Sequence, residues 1–364
     1  MSAPAAITGM AATTAYGRGT AALLAGVLSG KPAFGPLTRF DVSACRTTVA
    51  ATLAGSPSLH DELRDAITAA CDEAGLSERE RRSVPLRLAI HGDHRTGLTA
   101  AAFARTVADA AGVCADSSVR TYTSACVAAS TAVADAAAGI ALGDVTTVVV
   151  AAGYLVESDQ FAVFDAGRAL ARDGEVRPFS LGRKGIVMGD GVAAVVLTGT
   201  PRDAPALARV EGWGRAGEAY HVCQPHPEGV GLGQAIGAAL RRAGLTPAEI
   251  GYVNAHGSGS VLSDAAEANA LHRALGEAAS RVPLSSTKSL HGQALEASPL
   301  VELVTTVLAL REGYLPINAG FLEPDPQCRV RPILDQPLAA RAEHALSLNS
   351  AFGGACTALI VSPA

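Results

Sequence analysis

Four short segments carry the residues of this chain with the most chemistry to offer. Cys126 closes Thr123-Ser124-Ala125-Cys126 and opens an Ala-rich apolar stretch. A thiol at a helix start faces free N–H groups and the positive end of the helix dipole. Both favour thiolate, so a pKa well below the usual value of about 8.5 is expected, and with it a nucleophile. His256 lies in Asn254-Ala255-His256-Gly257-Ser258-Gly259-Ser260, directly after an apolar run. Its small neighbours would let a ligand approach the backbone. The third segment is Ser286-Thr287-Lys288-Ser289-Leu290-His291-Gly292-Gln293. The fourth, Asn349-Ser350-Ala351-Phe352-Gly353-Gly354, follows another apolar run. There a Gly-Gly turn can aim main-chain N–H groups at a developing oxyanion. Each segment alone also has an ordinary reading: an inert buried cysteine, a satisfied loop histidine, a tight turn.

These residues need rigid elements behind them. Ala5 to Met10, Leu86 to His91, Val145 to Ala152 and Gly191 to Leu197 read as strands. The Val-rich run at 145–152 suits a sheet covered on both faces. Val127 to Leu142 reads as a buried helix closed by Gly143. After Pro201 the pattern restarts. A strand at Leu207 to Trp213 precedes a helix at Gly233 to Ala243, with Ile236, Ala239, Leu240 and Ala243 on one face. Thr246-Pro247-Ala248-Glu249 has capping-box spacing. A strand at Ile250 to Ala255, a buried helix at Leu300 to Leu310 and strands at Ala345 to Leu348 and Ala358 to Val361 complete the pattern. The organisation expected is two α/β halves joined near residues 198–206: 1–200 carrying the cysteine, and 201–364 carrying His256, Lys288 and the Gly-Gly turn.

Composition agrees with a well-buried globular protein. Of 364 residues, 49% are hydrophobic, 17% charged and 4% aromatic, so small aliphatic side chains must fill the core. A net charge of −5 without a basic cluster argues against nucleic acid or an anionic membrane as partner. The N-terminal segment Met1 to Met10 has no basic leader region, and no spanning helix is read. Seven scattered cysteines, without CxxC or Cys/His metal spacing, argue for a reducing cytoplasm and against a metal site.

Taken in order, the four segments resemble the β-ketoacyl synthases, condensing enzymes of the thiolase fold. Ile7 to Met10 is similar to the family's opening strand. Ser124-Ala125-Cys126 resembles its nucleophile motif, and Gly185-Ile186-Val187-Met188-Gly189-Asp190-Gly191 its GFVMGEG signature. Ala219-Tyr220-His221 and Pro225 to Gly229 are similar to a further stretch. His256 to Ser260 resembles HGTGT, with Asp264 and Glu267 at the acidic positions, and Phe352-Gly353-Gly354 its FGG loop. The resemblance implies a layered α-β-α-β-α fold of two similar halves. It implies that Cys126 accepts an acyl group from the phosphopantetheine of an acyl carrier protein, or from coenzyme A, with no permanent cofactor. The N–H groups of Cys126 and Phe352 would form the oxyanion hole, and Phe352 would gate the acyl pocket. Ser258 and Ser260 would bind the pantetheine arm, and Lys288 and Glu267 would form an ion pair. Partners would be the carrier protein and a second subunit, in a homodimer or in a heterodimer with a chain-length-factor-like chain.

The departures from the family are specific. Its second catalytic histidine should follow Gly292, where this chain has Gln293. An amide can donate to an oxyanion but cannot exchange a proton. His291, two residues earlier, is the other candidate for that role. Lys184 stands where Asp is usual and Ile186 where Phe is usual. Ser350 replaces a common Phe, and the stretch from His91 to Cys126 is short by roughly twenty residues for a family loop. Three activities are therefore in view: decarboxylative condensation of an acyl-Cys126 with a malonyl unit; acyl transfer or cyclisation from the same thioester without decarboxylation; and a partner subunit without chemistry of its own, which Cys126 argues against.

Overall fold

A computed structural model describes residues 4–92, 97–200 and 204–364. Residues 1–3 of the N-terminal segment, and 201–203 within the expected junction, lie outside the described residues. Ten strands form the frame. In the first half they are β1 (Ala5–Thr14), β2 (Leu86–Ala89), β3 (Val119–Tyr122), β4 (Thr147–Tyr154) and β5 (Gly191–Thr198). The second half has β6 (Ala208–Gly217), β7 (Tyr252–Asn254), β8 (Pro283–Ser285), β9 (Ala345–Ser350) and β10 (Ala355–Pro363).

The same plan occurs twice. In the first half the order is β3-β2-β4-β5-β1, parallel across β3, β2 and β4 and antiparallel thereafter. In the second it is β8-β7-β9-β10-β6, with the same senses. The two sets meet where β1 pairs antiparallel with β6 through Ala5–Val210, Ala6–Arg209 and Ile7–Ala208. Hydrogen bonding thus runs without a break through both halves, and the two sets of strands lie on either side of a shared helical layer, as the α-β-α-β-α expectation requires.

The six longest helices among the described residues cover this sheet: α1 (Leu59–Glu73), α2 (Ala100–Ala110), α3 (Ala128–Leu142), α4 (Val230–Ala243), α5 (Val261–Leu275) and α6 (Ser298–Glu312). Period-2 alternation sorts the strand residues between layers. Val148 and Val150 of β4 pack inward with Ala132 and Val133 of α3 and Leu303 and Val304 of α6. Val149 and Ala151 face outward, against Leu63 and Ile67 of α1 and Phe103 of α2. In the second half Leu346 and Leu348 meet Ile236 of α4 and Leu271 of α5. Helices α3 and α6 form the central layer and are buried along most of their length, which is why they carry no amphipathic stripe. The segment Ala125–Leu142 is long and apolar enough to cross a bilayer, but most of it is buried here between strands.

Candidate active site

The chain enters α3 through a single 3₁₀ turn, Ala125–Val127, with Ala125 at φ 48. A non-glycine residue in the left-handed region is strained, and such strain persists where surrounding structure enforces it. This turn presents Cys126 to a cavity of about 410 Å³. His256, Ser258, Ser260, Gln293, Ser350 and Phe352 line the same cavity. Four segments spread over more than 220 residues therefore converge on one space.

Gln293 occupies the position next to the sulfur. Its Nε2 donates to Cys126 Sγ at 3.1 Å. Its main chain is fixed on both sides by the 185–191 signature: Gln293 N donates to Val187 O at 2.8 Å, and Gly189 N donates to Gln293 O at 2.9 Å. Glycine is required at 189, where a Cβ would lie 2.2 Å from the His291 carbonyl oxygen. His291 does not take the missing histidine's place. It is buried, with Nε2 at 3.1 Å from Thr287 Oγ1 and Nδ1 at 3.1 Å from Gly292 O.

His256 follows β7 directly. Burial, reinforced by the charge of Lys288, holds its imidazole well below the usual range, so the ring is neutral. Glu267 of α5 fixes the loop by accepting two main-chain N–H groups, His256 N and Gly257 N, both at 2.7 Å. Burial pushes Glu267 up to about 8 against the pull of those donors. The ion pair implied between Lys288 and Glu267 is replaced by another. Lys288 contacts Glu302 of α6, and both side chains are buried. The physical reason is that both Glu267 oxygens are already engaged by the loop. Sequence reading passed over Glu302, although a carboxylate inside an otherwise apolar buried helix demands a partner. Asn349 Nδ2 donates to its other oxygen at 2.7 Å.

Ser258 and Ser260 form the cavity wall nearest α5. Ser260 caps that helix, accepting Ser263 N at 3.3 Å, and Asp264 accepts Gly259 N at 3.1 Å and Phe179 N at 2.9 Å. Opposite them is the β9–β10 turn, where Gly353 and Gly354 have φ 87 and 78, values that glycine adopts freely. This turn leaves Phe352 57% exposed and stacked on Phe164, with ring centroids 6.0 Å apart. Lys184, one of the departures from the family pattern, reaches the cavity wall and pairs with Asp173 at 2.9 Å.

The thiol itself departs from expectation. Burial pushes Cys126 up to about 12, and the nearby Glu296 adds to that. The charge of Lys288 and the Gln293 hydrogen bond oppose it. The resting cysteine is a thiol rather than the thiolate expected from its position at a helix start. Two carboxylates, Glu296 and Glu302, lie close enough to raise it, and neither was weighed from the sequence. His91 contacts Glu296 at 3.1 Å and Glu157 at 2.9 Å. Burial alone would lower this imidazole, but the two carboxylates raise it to about 10. A consequence can be measured. Iodoacetamide modification of Cys126, followed on its own peptide, is expected to accelerate about tenfold per pH unit from 7 to 10. A plateau near pH 8 would show a thiol of ordinary acidity.

Residues 90–202 match the family model described as "Beta-ketoacyl synthase, N-terminal domain", and residues 207–322 match "Beta-ketoacyl synthase, C-terminal domain", together more than half of the chain. The chain belongs to the β-ketoacyl synthase family. Among its relatives, Nodulation protein E of Rhizobium leguminosarum bv. trifolii is 37% identical over 236 residues, covering 63% of this chain and 57% of that protein. The chain thus spans little more than half of that relative's length. Among solved structures, the ishigamide ketosynthase/chain length factor superposes with a TM-score of 0.91 over all of both chains, at 23% identity. A type II PKS ketosynthase in complex with its acyl-carrier protein and bound to the hexaketide, AntDE:AntF, gives 0.90 at 22% identity, also over all of both chains. The β-ketoacyl synthase fold, a thiolase-like α/β architecture, is common to all three chains.

Among the described residues, no group of three or more His, Cys, Asp or Glu side chains is placed to hold a metal ion.

Proposed function

We propose that this protein is a ketosynthase-like condensing enzyme of polyketide or fatty acid biosynthesis. The observation that carries the reading is the convergence of Cys126, Gln293, His256 and the Phe352 turn on one cavity. In the first step the Cys126 sulfur attacks the carbonyl of an acyl thioester held on phosphopantetheine. The oxyanion that forms meets main-chain N–H groups. Cys126 lies in the first turn of its helical segment, where N–H groups lack intrahelical acceptors, and Phe352 N has no acceptor among the described residues. Collapse of the intermediate expels the pantetheine thiolate, which takes up the proton that Cys126 gave up. In the second step a malonyl thioester loses CO2. Gln293 Nε2 and His256 face the enolate oxygen, and the enolate carbon attacks the acyl-Cys126 carbonyl. The sulfur leaves, and a β-ketoacyl thioester remains on the carrier.

The rest of the reading belongs to the same proposal. The carrier is an acyl carrier protein or coenzyme A, Ser258 and Ser260 bind its pantetheine arm, and no cofactor is held permanently. The protein works in the cytoplasm as a homodimer, or as a heterodimer with a chain-length-factor-like subunit. The chain divides at 200/201 into a half carrying the nucleophile and a half carrying its helpers, a division supported by the repeated strand order.

Gln293 favours a second reading, acyl transfer or cyclisation without decarboxylation, because its amide cannot exchange a proton. Labelled malonyl carrier protein separates the two. Condensation requires CO2 release that depends on Cys126 acylation. Gln293→His is expected to raise that release by about tenfold or more, since a titratable donor typically contributes about 10²–10⁴ in rate. No release from either protein would leave acyl transfer as the activity.

A further inference from the structure

The carboxamide of Gln293 could face Cys126 with either end, and the two ends act oppositely. Nε2 donates to sulfur and supports a developing thiolate. Oε1 would oppose it. The choice is made one turn further along the chain. Ser298, the first residue of α6, is fully buried. Its Oγ accepts Ala294 N at 2.8 Å, which leaves the hydroxyl proton free to donate. That proton goes to Gln293 Oε1 at 3.2 Å. With the oxygen end held and the main chain of Gln293 fixed by Val187 and Gly189, Nε2 is directed at Cys126 Sγ.

We infer that Ser298 is a positioning residue for the nucleophile, acting only through Gln293 to make its amide a one-way donor to sulfur. The chain Ala294 N–H, Ser298 O–H, Gln293 N–H, Cys126 Sγ runs in a single direction. Each group accepts from the one before and donates to the next. All of its donors are neutral and none titrates between pH 5 and 10. Support for the sulfur's negative charge is therefore constant across that range, in contrast to an imidazole donor. The inference concerns the cysteine assigned to acyl loading above, but its readout is thiol reactivity, so the two can fail separately.

The test is the rate of Cys126 alkylation by iodoacetamide against pH, read on the Cys126 peptide because Cys223 lines the same cavity. Ser298→Ala is expected to slow alkylation about three- to tenfold throughout pH 7–10, the effect of one lost hydrogen bond. In a Gln293→Ala background the same substitution is expected to change nothing further. An unchanged rate in Ser298→Ala overturns the inference. So does an equal loss in both backgrounds, since Ser298 would then act independently of Gln293. Should Ser298→Ala fail to fold, Ser298→Thr and Ser298→Cys form a graded donor series. Thr is expected near the wild-type rate and Cys below it, and equal rates for the two overturn the inference.

Discussion

Cys126→Ala is expected to abolish formation of a covalent acyl adduct when the protein is incubated with acyl thioesters, and to lower any turnover by more than about 10³-fold. Cys126 presents its sulfur to the cavity from a strained turn, with an amide N–H 3.1 Å away. No other cysteine on that wall is so placed. Cys223 is exposed at the surface, and the buried Cys356 is engaged with Ser350 Oγ at 3.7 Å and Gly354 O at 3.8 Å. Intact-mass measurement followed by peptide mapping distinguishes them. An adduct persisting at the wild-type level in Cys126→Ala would remove the nucleophile assignment and the condensation reading with it.

Lys288→Met is expected to destabilise the fold by about 3–5 kcal/mol, read as a lowered urea midpoint with an unchanged slope. Lys288 and Glu302 are both buried and contact one another in the core. Removing one charge strands the other where water cannot reach it. Burial already raises Glu302, so protonation relieves part of the cost in the variant, and the loss should shrink as pH falls. The pair also ties elements together. Glu302 carboxylate accepts from Asn349 on β9, and its main-chain carbonyl accepts Asn254 Nδ2 of β7 at 3.3 Å. A neutral double variant, Lys288→Met with Glu302→Gln, should recover part of the loss. A midpoint unchanged in the single variant would show the pair to be energetically silent.

Much of the fold was readable because it obeys simple periodicities. The Val-rich run became β4 and the apolar helix after Cys126 became α3, closed by Gly143 in the left-handed conformation. The capping box at Thr246–Glu249 formed as its spacing implied. The site was readable in its types and less so in its pairings. Cys126, His256, Gln293 and Phe352 line one cavity, but Lys288 chose Glu302 over Glu267. Partner choice in a buried ion pair depends on which lone pairs the main chain has already taken, and that is a three-dimensional fact. The direction of the Cys126 shift failed for a similar reason. A helix start was visible in the sequence, whereas the burial that mainly raises the thiol, and the Glu296 and Glu302 carboxylates that add to it, follow only from the folded arrangement. Ser298 was invisible because one serine at a helix start has no signature of its function.

The doubled strand order carries a consequence for where chemistry arose. In each half the third strand leads through a 3₁₀ turn into a central helix, and each turn contains a residue forced to positive φ, Ala125 in one and Leu295 in the other. Cys126 and Glu296 are therefore counterparts, each one residue past the strained one. The residues just beyond the second strands are histidines in both halves, His91 and His256. The open cavity takes one member from each copy, the thiol of Cys126 from the first half and the neutral His256 from the second. The remaining counterparts also meet across the halves: His91 of the first is clamped between Glu157 of its own half and Glu296 of the second, and the two carboxylates keep it charged. The molecule holds two editions of a single blueprint whose members are exchanged between two pairings, one reactive and one locked, and the carboxylate of the locked pairing adds to the burial that raises the proton affinity of Cys126.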